Sequence, residues 1–296
     1  MRASIPGEVE GAEIDYSQRP PHSSVELNDL AARMEDEAAR FVGRVGYMAT
    51  NLATGETVSR LENELFPTAS AVKLPVLTAF HSFVEGGNVG WSDYAHVRAE
   101  DVPGGSGVLQ HLDLPREITY RDAAWLMICV SDNMATNILL RAMGLDQTNS
   151  LISEIVGPDI HVNKYAGFQP GQPVRSMGDA TPKALGRYLN RLANHRLPGA
   201  AETLRVAEEQ VYRNTIPRYL PYDSFAMSTI QIANKTGALP GVRTDIAVLT
   251  GADTVVTMAF MTADAEDKGD TVENEAQRCI GRLALLVYNS WLVKTS

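Results

Sequence analysis

Apolar residues recur with a helical period in "SSVELNDLAARMEDEAARF", where Leu27, Leu30, Ala31, Met34, Ala38 and Phe41 fall on one face. The pattern then changes to short β-rich runs, and "VGYMATNLATGETVSRL" reads as two strands around the turn "ATGE". "FPTASAVKLPVLTAF" follows as a mostly apolar helix that ends near "EGGN". From about residue 85 to 215 the chain reads as helix and loop, broken at "VPGGSG", "VGPD", "QPGQP" and "LPGA". One helix there is sharply marked: "TPKALGRYLNRLANH" has Pro182 at its first position and Thr181 as candidate N-cap. Strand patterns return in "TIQIANKTG", "GVRTDIAVLTG" and "TVVTMAFMTA". The chain closes on a helix that aligns Ile280, Leu283, Val287 and Trp291.

Strands at both ends and helices between them predict an α/β chain of the α+β kind. An antiparallel sheet is built from both termini and flanked by the terminal helices, with an all-helical subdomain inserted. Residues 1–23, polar and rich in Pro and Ser, read as a loose arm. Residues 24–68 and 216–296 form the sheet part, and residues 69–215 the helical part. A site is expected where the insertion meets the sheet.

Composition narrows the function classes. The 296 residues carry a formal charge of −10, which argues against nucleic acid or an anionic membrane surface as partner. Cys129 and Cys279 are too few for a disulfide framework and read as buried thiols. The six histidines are scattered, with neither HExxH nor CxxC, so no metal or cofactor is expected. The start lacks the apolar core of a secretory signal and no 18-residue apolar run occurs, so the expected location is cytoplasmic.

Lys73 interrupts the apolar face of its helix, three residues after Ser70. Burying an ammonium is costly, so Lys73 either reaches water along its stem or serves the neighbouring hydroxyl. Ser70 and Lys73 form an SxxK motif, one helical turn apart on the same face. Further on come Ser131-Asp132-Asn133, at a break between two helical runs, and Lys235-Thr236-Gly237, at the end of a late strand. SxxK alone is weak, but the three motifs in this order and context form a strong signal. Asp132 reads as a cap at the helix break. "GGSGV" at 104–108 lacks a following GK[ST] and reads as a flexible loop at a cleft mouth, not a phosphate cradle.

The three motifs resemble those of the class A β-lactamase and penicillin-binding protein superfamily of active-site serine enzymes. "GDATPKALGRYLNRL" and "KTGALPGVRTDIAVL" extend the resemblance over roughly residues 25 to 293. It implies the β-lactamase/transpeptidase-like fold and a serine hydrolase acylated at Ser70. Lys73 is then the candidate base and Ser131 the proton relay to the leaving nitrogen. Asn133 holds the substrate amide and Lys73. Lys235 and Thr236 bind a substrate carboxylate with help from Arg243, which otherwise pairs with a surface carboxylate. The backbone N–H groups of Ser70 and Ala238, beside Gly237, make the oxyanion hole.

One family feature is missing. The family's Ω-loop carries E-x-x-L-N, whose glutamate activates the deacylating water. Here "VNKYAGFQPGQPVRSMGDATP" has no such motif, and no glutamate lies between Glu154 and Glu202. Asp179 matches the loop-anchoring aspartate, with Lys164 as its expected partner. The expectation is therefore weak or atypical β-lactamase activity on a carboxylate-bearing small molecule. Deacylation would rely on neutral Lys73 with Tyr165 or Gln169 positioning water, on another acyl acceptor, or stall. The alternatives are a cytoplasmic esterase, amidase or acyltransferase acting on a small metabolite, a β-lactamase with a substitute base, or a non-catalytic binding protein of the same fold.

Overall fold

The computed structural model describes residues 24–168, 171, 173–221 and 230–293. The arm expected at residues 1–23, and Gln169, lie outside the described residues. In chain order the elements are α1 (Ser24–Ala39), β1 (Arg44–Asn51), β2 (Thr57–Arg60), β3 (Phe66–Pro67) and α2 (Lys73–Glu85). Next come β4 (Tyr94–Val97), β5 (Arg116–Thr119), α3 (Tyr120–Cys129), α4 (Asn133–Met143) and α5 (Leu145–Val156). They are followed by β6 (Ile160–Val162), β7 (Gly178–Ala180), α6 (Pro182–Ala193) and α7 (Ala200–Glu208). The chain ends with β8 (Gln231–Leu239), β9 (Val242–Thr250), β10 (Val255–Ala263) and α8 (Glu275–Trp291).

The principal sheet has the order β2-β1-β10-β9-β8, all antiparallel. Strand β10 is central, and all nine of its residues are buried. Its run of apolar residues and threonines is what a strand covered on both faces requires. One face packs against α1 and α8 through Leu30, Met34, Phe260, Ile280, Leu283 and Trp291. Each large side chain buried there contributes roughly 2 kcal/mol. Ala31, expected on the buried face of α1, is exposed. The other face packs against α6, with Leu185 and Leu189 in one core with α2, α3 and α4.

The insertion is not wholly helical. It contains a β4-β5 ribbon, and β3, β6 and β7 form a three-stranded sheet. These strands are only two to four residues long, too short for an alternating pattern to stand out. Helix α6, assigned from sequence to the helical part, lies against the principal sheet, where Thr257 Oγ1 and Asn190 Oδ1 are 2.5 Å apart.

Two local devices shape the corner at the start of α4. Asp132 caps α4 by accepting from the Ala135 N–H at 2.9 Å, as expected. Its other oxygen accepts from the N–H groups of Val108 and Leu109 at 2.7 and 2.8 Å. The 104–108 loop, expected to be flexible, is thus bolted to the start of α4. Gly107 allows this contact: its φ is +116°, and a Cβ there would sit 2.4 Å from the Asp132 carboxylate. Replacing Asp132 with Ala orphans three N–H groups and should cost about 2–4 kcal/mol of stability, read by urea unfolding. A loss under about 0.5 kcal/mol would show that the loop does not depend on this carboxylate.

Candidate active site

Ser70 lies in a single 3-10 turn, Ala69–Val72, that runs directly into α2. Sequence reading expected a helix start, and the tight turn refines that. Ala69 is left-handed, with φ +47°, and so is Ser131, with φ +54°. Such conformations cost an L-residue of order 1–3 kcal/mol and persist only where the surroundings hold them. Ala69 is held by its N–H donating to Ser176 Oγ at 3.0 Å. Ser131 is held through its carbonyl, which accepts from Lys73 Nζ at 2.7 Å and Ser106 Oγ at 2.8 Å.

Strand β8 closes against the turn at Gly237. A Cβ at that position would lie 2.3 Å from Thr68 O and 2.9 Å from Ser70 N, so only glycine permits the approach. Ser70, Ser131, Asn133, Thr236, Gly237 and Ala238 line one cavity of about 490 Å³. Lys73 and Lys235 stand behind this wall, both 0 % exposed.

The hydroxyl of Ser131 joins the two lysines, with Lys73 Nζ at 3.2 Å and Lys235 Nζ at 3.0 Å. Lys73 Nζ also reaches Asn133 Oδ1 at 2.9 Å, and Lys235 Nζ reaches Thr236 O at 2.8 Å. Burial holds the Lys73 pKa well below the usual lysine value, and the charge of Lys235 lowers it further. Lys73 Nζ donates to Ser131 O and Asn133 Oδ1 and lies within reach of the Ser131 hydroxyl, three contacts that use all the hydrogen-bonding capacity of the amine. Burial also brings Lys235 down to about 7, while Asp245 opposes that shift. Lys235, while protonated, donates to Ser131 Oγ.

Sequence reading missed the supports. Asp245 is fully buried and accepts from Ile216 N at 3.0 Å and Asn234 Nδ2 at 3.0 Å, besides the Thr215 hydroxyl. Ser106, Ser176 and Asn137 are likewise contacts between distant segments and carry no local pattern. Asn137 is the most informative. Its carboxamide accepts from the N–H of Ala166 at 2.8 Å and donates to the carbonyl of Ala166 at 2.9 Å, fixing the 163–168 stretch over the cavity.

Two contacts differ from those expected. Lys164 Nζ donates to Gly167 O at 3.0 Å, and the Asp179 carboxylate is engaged by Asn163 Nδ2 at 2.6 Å. Residue 163 lies next to β6, which pairs with the strand carrying Asp179, so the shorter side chain already reaches it. Arg243 lines the cavity but is 3 % exposed, and its terminal N–H groups are taken by Leu239 O, Val242 O, Gly269 O and Asp270 Oδ1. Tyr165, proposed to position water, is partly exposed and lines a neighbouring cavity. Among the described residues that line the Ser70 cavity, Asp270 is the one carboxylate. No group of three or more His, Cys, Asp or Glu among the described residues is placed to hold a metal, and none of their helices is long and apolar enough to cross a membrane.

The model of the beta-lactamase enzyme family matches residues 28–291. A beta-lactamase of Rhodobacter capsulatus is 26 % identical over 268 residues, covering 88 % of each chain. The crystal structure of a beta-lactamase from Sphaerobacter thermophilus aligns with TM-score 0.78 at 27 % identity, covering 92 % of this chain and all of that one. At 22 % identity, an acyl-enzyme complex of a PBP-A variant shares the fold, with TM-score 0.77 over 92 % of this chain and 97 % of that one.

Asp245 supports the positive charge on Lys235, so Asp245→Asn should move the Lys235 titration below about 7, read by NMR of labelled lysine side chains. An unchanged or higher midpoint would remove Asp245 from the electrostatics of the site.

Proposed function

The chain belongs to the beta-lactamase enzyme family and is a serine hydrolase of the class A type, and we propose that it works through an acyl-enzyme on Ser70 with slow release of the acyl group. The observation that carries this reading is the chain of contacts from Lys235 through the Ser131 hydroxyl to a buried Lys73 one turn from Ser70. A lysine whose pKa is held down by burial gives up its proton more readily and can then accept one from a serine. Two buried lysines sharing a hydroxyl serve no evident packing purpose, which disfavours a purely binding role.

In the proposed step, Ser70 Oγ bonds to the carbonyl carbon of an amide or ester and its proton passes to Lys73. The negative oxygen settles against the backbone N–H groups of Ser70 and Ala238. Collapse breaks the bond to the leaving nitrogen or oxygen, which takes a proton from Ser131, and Lys73 restores that proton. Lys235, while protonated, and Thr236 hold the substrate carboxylate. Arg243 acts on the substrate indirectly, by fixing the 269–270 stretch at the cavity rim.

Release is the weaker half. Among the described residues, the cavity wall offers no free carboxylate to activate water, since Asp270 is paired with Arg243. This supports atypical β-lactamase activity, or transfer of the acyl group to an acceptor other than water.

Intact-protein mass followed after addition of benzylpenicillin should show a persistent adduct on the wild type and none on Ser70→Ala. Turnover by Ser70→Ala at the wild-type rate would sink the mechanism. Ala166 is buried, lines the cavity and is clamped by Asn137, so a carboxylate introduced there meets the acyl group. Ala166→Glu should therefore shorten the adduct lifetime by about tenfold or more. An adduct as long-lived as on the wild type would show that release is limited by something other than a missing base.

A further inference from the structure

The cavity wall has the opposite charge to the molecule. The chain carries 36 acidic against 26 Lys and Arg residues. Yet the wall holds Lys164, Arg175, Arg243 and Lys268 against the single carboxylate of Asp270. Arg243 and Asp270 cancel one another at 3.0 Å, leaving three cations with no protein counter-ion among the described residues. Lys235, while protonated, adds to the same sign from behind the wall.

Two of the three sit close to the nucleophile. Arg175 precedes Ser176, whose hydroxyl holds the N–H of Ala69, the residue before Ser70. Arg175 is exposed and makes no hydrogen bond or ion pair among the described residues. Lys164 spends one N–H on Gly167 O and is otherwise open. Both line the Ser70 cavity and a second one of about 680 Å³ beyond the 164–168 stretch. They approach Ser70 from the 163–180 segment, while Lys235, Thr236 and Gly237 approach it from β8. Uncompensated charge on a concave wall focuses potential and draws ligands of the opposite sign.

We propose that the acyl donor of this enzyme carries a second carboxylate, opposite the one held by Lys235 and Thr236, and that Arg175 with Lys164 receives it. The proposal rests on the reading of Ser70 as nucleophile in naming the donor, but the preference for a second carboxylate can be measured apart from that chemistry. Arg175 offers a planar pair of N–H donors to a carboxylate, and Lys164 adds a point charge.

Benzylpenicillin and its α-carboxy derivative differ by one carboxylate on the side chain. The test is their ratio of acylation rates, followed by intact mass, in the wild type, Arg175→Gln and Lys164→Gln. Equilibrium binding of both compounds to Ser70→Ala by calorimetry runs alongside. The wild-type ratio, relative to that of Arg175→Gln, should favour the dicarboxylate by about fivefold at low salt and shrink in about 0.5 M salt. Lys164→Gln should lower it in part, and Ser70→Ala should bind the dicarboxylate more tightly. A wild-type ratio equal to that of Arg175→Gln, with both compounds acylating, would overturn the second-carboxylate site and leave the Ser70 mechanism standing. If neither compound acylates yet Ser70→Ala prefers the dicarboxylate, the site stands and the mechanism falls. Absence of both acylation and preference overturns both.

Discussion

The arrangement depends on one hydroxyl shared by two buried lysines. Lys73 and Lys235 are both fully enclosed, and Ser131 Oγ lies within 3.2 Å of each. Two ammonium groups at that separation in a dry interior are untenable, so one gives up its proton. Asp245 decides which. It raises the pKa of Lys235, whereas Lys73 feels Lys235 as a like charge. Asp132 partly offsets that repulsion without reversing it. The asymmetry favours the proton on Lys235 over Lys73, which is what the proposed role of Lys73 as base requires.

Holding that triangle requires three segments distant in sequence to meet within hydrogen-bond distance. The β8 strand reaches the turn at Ser70 because Gly237 has no side chain to obstruct it. The corner at Ser131 is kept in a left-handed conformation by Lys73 and Ser106, and Asp132 fastens the 104–108 loop to the same corner. The sheet supplies the rigid base. Its central strand is buried on both faces, so β8 and β9 have little freedom to shift.

The sheet, its flanking helices and the three motifs were legible from sequence because each has a local signature. Ser70 and Lys73 are one turn apart, and β8 to β10 are continuous β-rich runs. The short strands β4 to β7 were not legible, since three or four residues carry too few alternations. Asp245, Ser106, Ser176 and Asn137 were hidden for another reason: each acts across 25 residues or more, or from the opposite side of a strand pair. The expected Lys164–Asp179 pair failed on geometry, because Asn163 already sits opposite the β7 strand. Arg243, expected to help bind a substrate carboxylate, lines the cavity, yet its terminal N–H groups are taken by three carbonyls and Asp270, which no spacing rule reveals.

On the proposed mechanism, acylation and release fall to different parts of the fold, and this allows one to change without the other. The residues proposed for acylation belong to α2, the corner at Ser131 and β8, whose side chains are enclosed by the core. Altering Lys73 or Lys235 would leave polar partners buried and unpaired, a cost of about 1–3 kcal/mol for each. The residues over the acyl group belong to the 163–168 stretch, which Asn137 holds through backbone atoms of Ala166 alone. A clamp on the main chain is indifferent to the side chain at that position. Ala166 itself is buried in the core, so the clamp fixes the backbone while the space around the side chain decides which residues fit. On the proposed mechanism, the lifetime of the acyl-enzyme depends on a stretch held through its backbone, apart from the residues that form the acyl-enzyme.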